Sequence, residues 1–249
     1  MKRNSKVRNK YLDLLICAGG DGTLNNVISR CMEIGCDLPI GYLPVGSTND
    51  FARTLGFSSD FTEILKQSCM SAERRIDIGK FNDQYFVYVA AFGSLAEVSY
   101  STPQWTKNIL GHFAYLLKGI QKVTDIKSYS LTIVYDGKIE KGEFCIGLVM
   151  NSLSIGGFKN PVSQDVVLDD GLFEVLLIRT PQSLNELQQI IVSLLGQKIY
   201  EEKMFIYIQT GNLKVESDLM EWTLDGEFGG AAQKIEISNC RQALRIISS

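Results

Sequence analysis

The feature that constrains this chain most is a short apolar run that stops at two glycines and continues as a helical pattern. The run, Leu12 to Ala18, carries one charge near its start and is followed by the turn Gly19-Gly20-Asp21-Gly22-Thr23. The next apolar residues recur at helical spacing as far as Gly35, where a left-handed cap is expected: Leu24, Val27, Ile28, Cys31 and Met32. The pattern predicts a buried strand, a tight turn and a helix.

A glycine turn between a strand and a helix is a common phosphate site in α/β sheets. Its unpaired N–H groups and the helix dipole favour an anion, and glycine lets the backbone approach closely. The carboxylate of Asp21 would repel phosphate unless a divalent cation or its bound water lies between them. The alternative is an ordinary turn with Asp21 or Thr23 as helix N-cap, and the turn alone leaves both readings open.

A second strand, turn and helix start follow directly. Residues 39–44 predict a short strand, Ser47, Thr48 and Asn49 supply polar donors, and residues 51–55 predict a short helix that stops at Gly56. Asp50 is either a second site carboxylate or the N-cap of that helix. Two such turns at the ends of neighbouring strands could converge on one ligand. A further helix is predicted over Phe61 to Met70.

From Arg74 the pattern becomes one of strands, which indicates a β-rich second half. We expect strands at 75–81 and 85–92, and Asp77 then faces away from its isoleucine neighbours, toward solvent or a cleft. We also expect a capped helix from residue 183, a helix at 105–123, hairpins at 131–150, 166–178 and 204–216, a turn at 225–227, and closing strands at 235–237 and 244–247. The predicted class is α/β + β, with an α/β domain over 1–78 and a β-rich domain over 79–240; the tail 241–249 could return to the first.

Composition excludes several function classes. The net charge of −3 gives no sign of nucleic-acid binding. The six cysteines form no C-x-x-C pair, and the only histidine is His112, so acid–base chemistry falls to carboxylates or lysine. No apolar run reaches the ~20 residues needed to span a bilayer, and we expect a cytoplasmic protein whose membrane contact is peripheral.

Five segments, in order, resemble the diacylglycerol kinase catalytic family, which includes bacterial soluble lipid kinases and sphingosine kinases. They are GGDGT at 19–23, PVGSTNDFA at 44–52, IDIG at 76–79, DDGLFEV at 169–175 and WTLDGE at 222–227. The first is shared with NAD kinases, whereas the second is more specific to lipid kinases. The resemblance implies an ATP-dependent lipid kinase, with a nucleotide-binding α/β domain, a β-sandwich-like lipid-substrate domain and the site between them.

The resemblance also implies roles for individual residues. A catalytic Mg²⁺ would lie in an acidic network of Asp21, Asp50 and Asp77, and Glu227 would be the general base. A second, structural Mg²⁺ would be held by Asp170 and the carbonyls of Val167 and Leu172. The residues that would hold ATP are Gly19, Gly20, Asp21, Gly22, Thr23, Leu24, Asn25, Asn26, Ser47 and Asn49.

Three departures from the family pattern qualify these expectations. No βαβ unit with an Asn-Pro loop precedes the first motif, so we expect a chain that lacks an N-terminal portion of the family. Asn26 replaces the usual glutamate, and Ser47 replaces the commoner threonine. The expected partners are ATP, Mg²⁺ and a lipid alcohol at a membrane surface, and a homodimer stays open. The alternative function is a catalytically incompetent lipid- or nucleotide-binding fragment, while an NAD kinase is disfavoured by the later segments.

Overall fold

The computed structural model describes residues 12–46, 49–58, 60–93, 122–151, 154–155, 158–159, 167–196 and 203–248. The helices in these ranges are α1 Asp21–Ile34, α2 Asp50–Thr54, α3 Phe61–Met70 and α4 Leu184–Gly196, with a 3₁₀ turn at Val123–Asp125. The strands are β1 Leu15–Gly19, β2 Ile40–Pro44, β3 Glu73–Phe81, β4 Gln84–Phe86, β5 Val89–Gly93, β6 Tyr129–Tyr135, β7 Lys138–Met150, β8 Ser154–Ile155, β9 Phe158–Lys159, β10 Phe173–Arg179, β11 Phe205–Thr210, β12 Asn212–Leu224 and β13 Glu227–Ile247.

The first motif folds as its pattern predicts. Strand β1 pairs in parallel with β2, and α1 begins directly after Gly20. Helix α1 ends at Gly35, whose φ of 67° is left-handed, and the N–H groups of Gly35 and Cys36 donate to Met32 and Cys31 in a Schellman motif. The helix predicted over 61–70 is confirmed with the same bounds, and the Asp60 carboxylate caps it by accepting the Glu63 N–H at 3.0 Å.

The last strand joins the two halves of the molecule. β13 has 21 residues; its first part pairs with β12, its later part with β3, and Ile246 and Ile247 pair in parallel with β2. The two separate closing strands predicted from the sequence are therefore one strand, with a register shift between Cys240 and Leu244. The chain thus forms an α/β region and a β-rich region on one 11-stranded sheet. The domain division at residue 78 and the sandwich-like second layer stay predictions.

Of the three predicted hairpins one forms and two do not, and the turn predicted at 225–227 closes a further hairpin. β6 and β7 pair across Asp136-Gly137, and β12 and β13 pair across Asp225-Gly226, with left-handed φ at all four turn residues. The hairpin predicted over 204–216 is wrong, because β11 pairs with β10 whereas β12 pairs with β13, β6 and β5. Long-range pairing on the sheet overrides the local turn signal at Gly211-Asn212.

The predicted strand pair over 166–178 is also wrong in its first half. Residues 167–172 form turns, and only β10 is a strand there. The run 85–92 is interrupted as well, because the backbone of residues 87–88 leaves the ladder between β4 and β5. The helix predicted at 105–123, with His112, lies outside the described residues apart from its last two positions.

The core has two parts on either side of the β-rich sheet. One contains buried residues of α1, β2, β3 and α4, and the other contains the aromatic contacts of Trp222 with Phe81 and Phe92 at 5.1 and 5.0 Å. β10 contributes to both, since Leu176 and Val175 face opposite cores. Among the described helices, none has the length and apolar character to cross a bilayer.

Candidate active site

The two glycine turns meet backbone to backbone. A Cβ added to Gly46 would overlap the Cα of Gly20, and the Val45 N–H donates to the Gly19 carbonyl at 3.1 Å. A Cβ on Gly19 would overlap the side chain of Thr23. The chain therefore needs glycine here for close approach, and the turns after β1 and β2 do converge, as predicted from their positions at the strand ends.

The N-terminus of α1 opens at this junction. Gly20 is its N-cap, and no side chain caps it, so neither Asp21 nor Thr23 is the N-cap that the alternative reading required. Asp21 instead accepts the Phe51 N–H at 3.1 Å, and so fixes the start of α2 against α1. Leu24 is buried and its N–H donates to Gly20, so it supports the helix and offers no polar group to a ligand.

Asn49 shapes the second turn from within. Its amide donates to the carbonyls of Pro44 and Gly46 at 3.1 and 2.7 Å, and its carbonyl accepts the Gly46 N–H at 3.0 Å. Its φ of 52° is left-handed, a conformation that asparagine tolerates better than most residues. Asn49 therefore builds the wall of the site rather than reaching into it. Ser47 lies outside the described residues, and only the backbone of Asp50 is described.

Glu227 lies beside the first turn although it is far away in the sequence. A Cβ on Gly22 would lie 3.8 Å from Glu227 Oε1. An open cavity of about 290 Å³ extends from this point along α1, lined by Gly22, Asn25, Asn26, Ser29, Glu33, Asp83, Gln84, Tyr85, Leu224, Glu227 and Phe228. The β12–β13 turn thus brings a carboxylate to the mouth of the α1 N-terminus.

Asp225, two residues before Glu227, is the buried carboxylate of this turn. It is 6% exposed and accepts the N–H groups of Val87, Tyr88 and Val89 at 2.6, 2.9 and 2.9 Å. Burial raises the pKa of Asp225 to about 7; the three N–H groups lower it, and the nearby Asp21 raises it. The turn that carries Glu227 is therefore anchored to the bend between β4 and β5.

Asp77 is buried, not solvent-exposed, and it contacts the loop 167–172 and the strand β13 beside it. Its carboxylate accepts the N–H groups of Gly171 and Gln242 at 2.6 and 2.7 Å, and its own N–H donates to Leu168 at 2.7 Å. Burial raises the pKa of Asp77, whereas the backbone N–H groups of Gln242 and Gly171 lower it. No described contact joins Asp77 to Asp21, so Asp77 shapes the neighbouring loop.

The loop 167–172 holds the three residues assigned to a second metal. Asp170 accepts the Leu172 N–H at 2.9 Å, the Leu172 carbonyl accepts the Asn239 amide at 3.2 Å, and Val167 is exposed. One carboxylate and two carbonyls, completed by water, suit Mg²⁺. The protein already fastens this loop, since Arg241 and Gln242 both donate to the Asp169 carbonyl at 3.3 Å.

The first-motif residues fit a phosphate and an associated cation. The glycine junction and the uncapped helix start offer N–H groups to an anion. Within the described ranges, no three His, Cys, Asp or Glu side chains lie close enough together to hold a metal by themselves. A Mg²⁺ ion at Asp21 would therefore take its other ligands from phosphate oxygens and water, which is its usual coordination in kinases.

Comparisons with known proteins show to which family the chain belongs. A family model described as the diacylglycerol kinase catalytic domain matches residues 3–81. The diacylglycerol kinase of Bacillus subtilis (strain 168) is 37% identical over 225 residues, which cover 89% of this chain and 73% of the relative. This chain belongs to the diacylglycerol kinase family. The diacylglycerol kinase of Staphylococcus haemolyticus (strain JCSC1435) is 36% identical over 88% of this chain and 66% of its own.

Solved structures show the same fold in this family. Two crystal structures of Bacillus anthracis str. Sterne proteins match with TM-scores of 0.81 and 0.72, at 21% and 20% identity. Each covers 96% of this chain, and the matches cover 78% and 77% of the respective neighbours. The second is a diacylglycerol kinase and the first is assigned to that activity. The resemblance noted from the five segments is thus confirmed at the level of the family.

Sequence reasoning missed the residues that fasten the site from a distance. Asp225 was noted only as a turn residue, and Asn151, Asn239 and Gln242 were not noted at all. Asp225 stands in the WTLDGE segment, and an aspartate between a buried strand and a candidate base was the one available signal. For the other three, no local pattern indicates a role.

Proposed function

We propose that this chain is an ATP-dependent lipid kinase that transfers the γ-phosphate of MgATP to the hydroxyl of diacylglycerol or a related lipid alcohol. The observation that carries the proposal is the approach of Glu227 to Gly22. It places a carboxylate from the last hairpin beside the helix start that suits phosphate. A base and a phosphate site on opposite walls of one cleft are what phosphoryl transfer to an alcohol needs.

In the proposed reaction the acceptor oxygen attacks the γ-phosphorus, the bond to the β-phosphate oxygen breaks, and ADP leaves. The acceptor proton passes to Glu227, which lines the cavity. Because phosphoryl transfer is mainly positioning and charge neutralisation, the backbone of the glycine turns supplies orientation. When bound, Mg²⁺ would neutralise charge on the phosphate oxygens, and Asp21 is the described carboxylate placed to hold it.

The charge of the cavity supports an uncharged acceptor. Among the described residues that line it, three carry carboxylates, Glu33, Asp83 and Glu227, and none is lysine or arginine. An anionic headgroup would meet three like charges, although the Arg30–Glu33 pair at 2.8 Å offsets part of this field. Phe228, which is 53% exposed, adds apolar surface at the same cavity. This combination suits a neutral lipid alcohol better than an anionic phospholipid.

The proposal is tested by phosphate transfer from labelled ATP with Mg²⁺ to lipids in mixed micelles. We expect label in diacylglycerol and at least ten times less in phosphatidylglycerol. No label in any lipid, from a folded protein that binds ATP, contradicts the proposal. Equal label in the anionic lipid contradicts the role given to the acidic cavity.

Two variants of Asp21 separate its charge from its structural bond. Asp21→Asn retains a carbonyl to accept the Phe51 N–H but loses the charge, whereas Asp21→Ala loses both. We expect both to lower kcat by about 10³-fold or more, since the charge that would hold the cation is gone. Only Asp21→Ala should also lose about 1 kcal/mol of unfolding free energy in denaturant titrations. Wild-type turnover in Asp21→Asn would remove the carboxylate from the proposed site.

A further inference from the structure

Asn151, directly after β7, is a buried polar side chain with long-range contacts. It is 2% exposed, and its amide nitrogen donates to the carbonyls of Asp77 at 2.8 Å and Val87 at 3.3 Å. Its backbone N–H donates to the Tyr88 carbonyl at 2.9 Å. Only the NH₂ end of an amide can donate to two carbonyls, so the orientation of this side chain is fixed. Asn151 therefore ties the bend at 87–88 to Asp77.

The other side of the same bend is held by the turn that carries Glu227. The Asp225 carboxylate accepts the N–H groups of residues 87–89, and the Asp225 N–H donates to Val89 at 2.8 Å. The Tyr88 hydroxyl donates to the Asp225 carbonyl at 2.8 Å. The bend at 87–89 is thus clamped between Asn151 and Asp225.

Asp77 continues these bonds toward the loop 167–172, through Leu168, Gly171 and Gln242. A continuous set of short hydrogen bonds therefore runs from that loop to the Asp225–Glu227 turn. Asn151 and the bend it holds are one connection between the two ends, beside the pairing of β3 with β4. Buried networks of this kind can couple the positions of the groups at their ends.

Asn151 is held by the nitrogen end of its amide. Within the described parts of the chain, its buried carbonyl oxygen has no hydrogen-bond partner. The two donor contacts to the carbonyls of Asp77 and Val87 are therefore its described side-chain bonds, and an aliphatic side chain could not replace them.

We propose that Asn151 is a positioning residue for phosphoryl transfer, which fixes the Asp225–Glu227 turn relative to Asp77 and the loop 167–172. The inference rests on the proposed kinase function. Asn151 acts through the bend at 87–89. Its effect is on the placement of Glu227 and not on the glycine turns that bind ATP, so it should change kcat and leave the KM for ATP in place.

The test compares Asn151→Ala and Asn151→Ser with Thr223→Val. Thr223 is equally buried on β12, and its hydroxyl makes one long contact with the Ala91 carbonyl at 3.4 Å, so its removal is a matched loss of a buried polar group. We expect Asn151→Ala to lower kcat by roughly 10–100-fold with the KM for ATP within about twofold, because small misplacements of reacting groups are costly. Asn151→Ser keeps one donor, so its kcat should lie between those of Asn151→Ala and the wild type.

Hydrogen exchange gives a readout that does not depend on activity. In Asn151→Ala, or in Asn151→Ser if the alanine variant does not fold, amide exchange should rise together at 87–89 and at 168–171. Exchange that rises on one side only, or a KM for ATP that rises as much as kcat falls, would overturn the proposal. A wild-type protein that transfers no phosphate would overturn the kinase function. An active wild type whose Asn151 variants have an unchanged kcat would overturn the positioning role alone.

Discussion

The two walls of the cleft are built in different ways. The proposed phosphate wall, formed by the turns around Gly20 and Gly46, is shaped locally: Asn49 bonds to residues three and five positions away, and the two turns touch. The proposed acceptor wall, formed by the turn Asp225–Glu227, is held by distant residues, since Asp225 bonds to residues 136 to 138 positions away in the sequence. Apart from Asp21, whose charge would hold the cation, damage to the first wall should therefore weaken ATP binding, and damage to the second should slow transfer or change stability.

On the acceptor wall, the largest expected effect is at Glu227 itself. Glu227→Gln should lower kcat by about 10²–10⁴-fold, the usual contribution of a general base, with the KM for ATP unchanged. Glu221→Gln is the matched control, because Glu221 is an exposed glutamate of the same hairpin. Steady-state kinetics at varied ATP decide the point. A raised KM for ATP with an unchanged kcat would mean that Glu227 contributes to ATP binding and not to proton transfer.

A second effect concerns stability, through the buried Asp225 carboxylate. Its pKa in the folded protein is about 7, above the ordinary value of 3.8, so the folded state holds its proton to higher pH than the unfolded state. The unfolding free energy of the wild type should therefore fall, relative to Asp225→Asn, by about 2–3 kcal/mol between pH 5 and pH 8.

Denaturant titrations at these two pH values measure the difference. Asp218→Asn, at an exposed position of the same strand, should show no such pH dependence relative to the wild type. If the unfolding free energies of the wild type and Asp225→Asn differ by the same amount at both pH values, the three N–H groups outweigh burial and keep the carboxylate ionised from pH 5 to pH 8.

The smallest of these effects is expected at Gly46, in the phosphate wall. A Cβ at Gly46 would push against Gly20, so Gly46→Ala should separate the two turns and raise the KM for ATP about tenfold, with a smaller change in kcat. Gly137→Ala is a control for general destabilisation, since Gly137 has a φ of 73° and open space around it, far from these turns in the β6–β7 hairpin. An unchanged KM in Gly46→Ala would show that the turns need not touch to bind ATP.

The same contrast explains what the sequence could predict. The strand, turn and helix around Gly20, the cap at Gly35 and the helix over 61–70 depend on neighbours in the chain, and their patterns predicted them within a few residues. The fold class, α/β followed by a β-rich region, also followed from such local patterns.

What escaped prediction depends on distant partners. Asp225-Gly226 was predicted as a turn, but the groups that bond Asp225 lie in the bend at 87–89, far away in the sequence. The Asp169-Asp170-Gly171 turn was predicted as the middle of a hairpin, yet Asp77, Arg241 and Gln242 take up its backbone groups. The spacing of apolar residues along the chain does not indicate which distant residues will bond to each other.

The long strand β13 has a consequence for how the protein is made. Ile246 pairs with Ile40, and the Ser248 N–H donates to the Ala72 carbonyl. The α/β region therefore gains its last sheet partner only when the residues up to 248 have been synthesised. During translation, the edge of β2 that pairs with β13 would stay unpaired until the residues of β13 have been synthesised. An unpaired strand edge can pair with other chains. Strong expression at high temperature should therefore favour aggregation through β2, and slower synthesis would not reduce this aggregation.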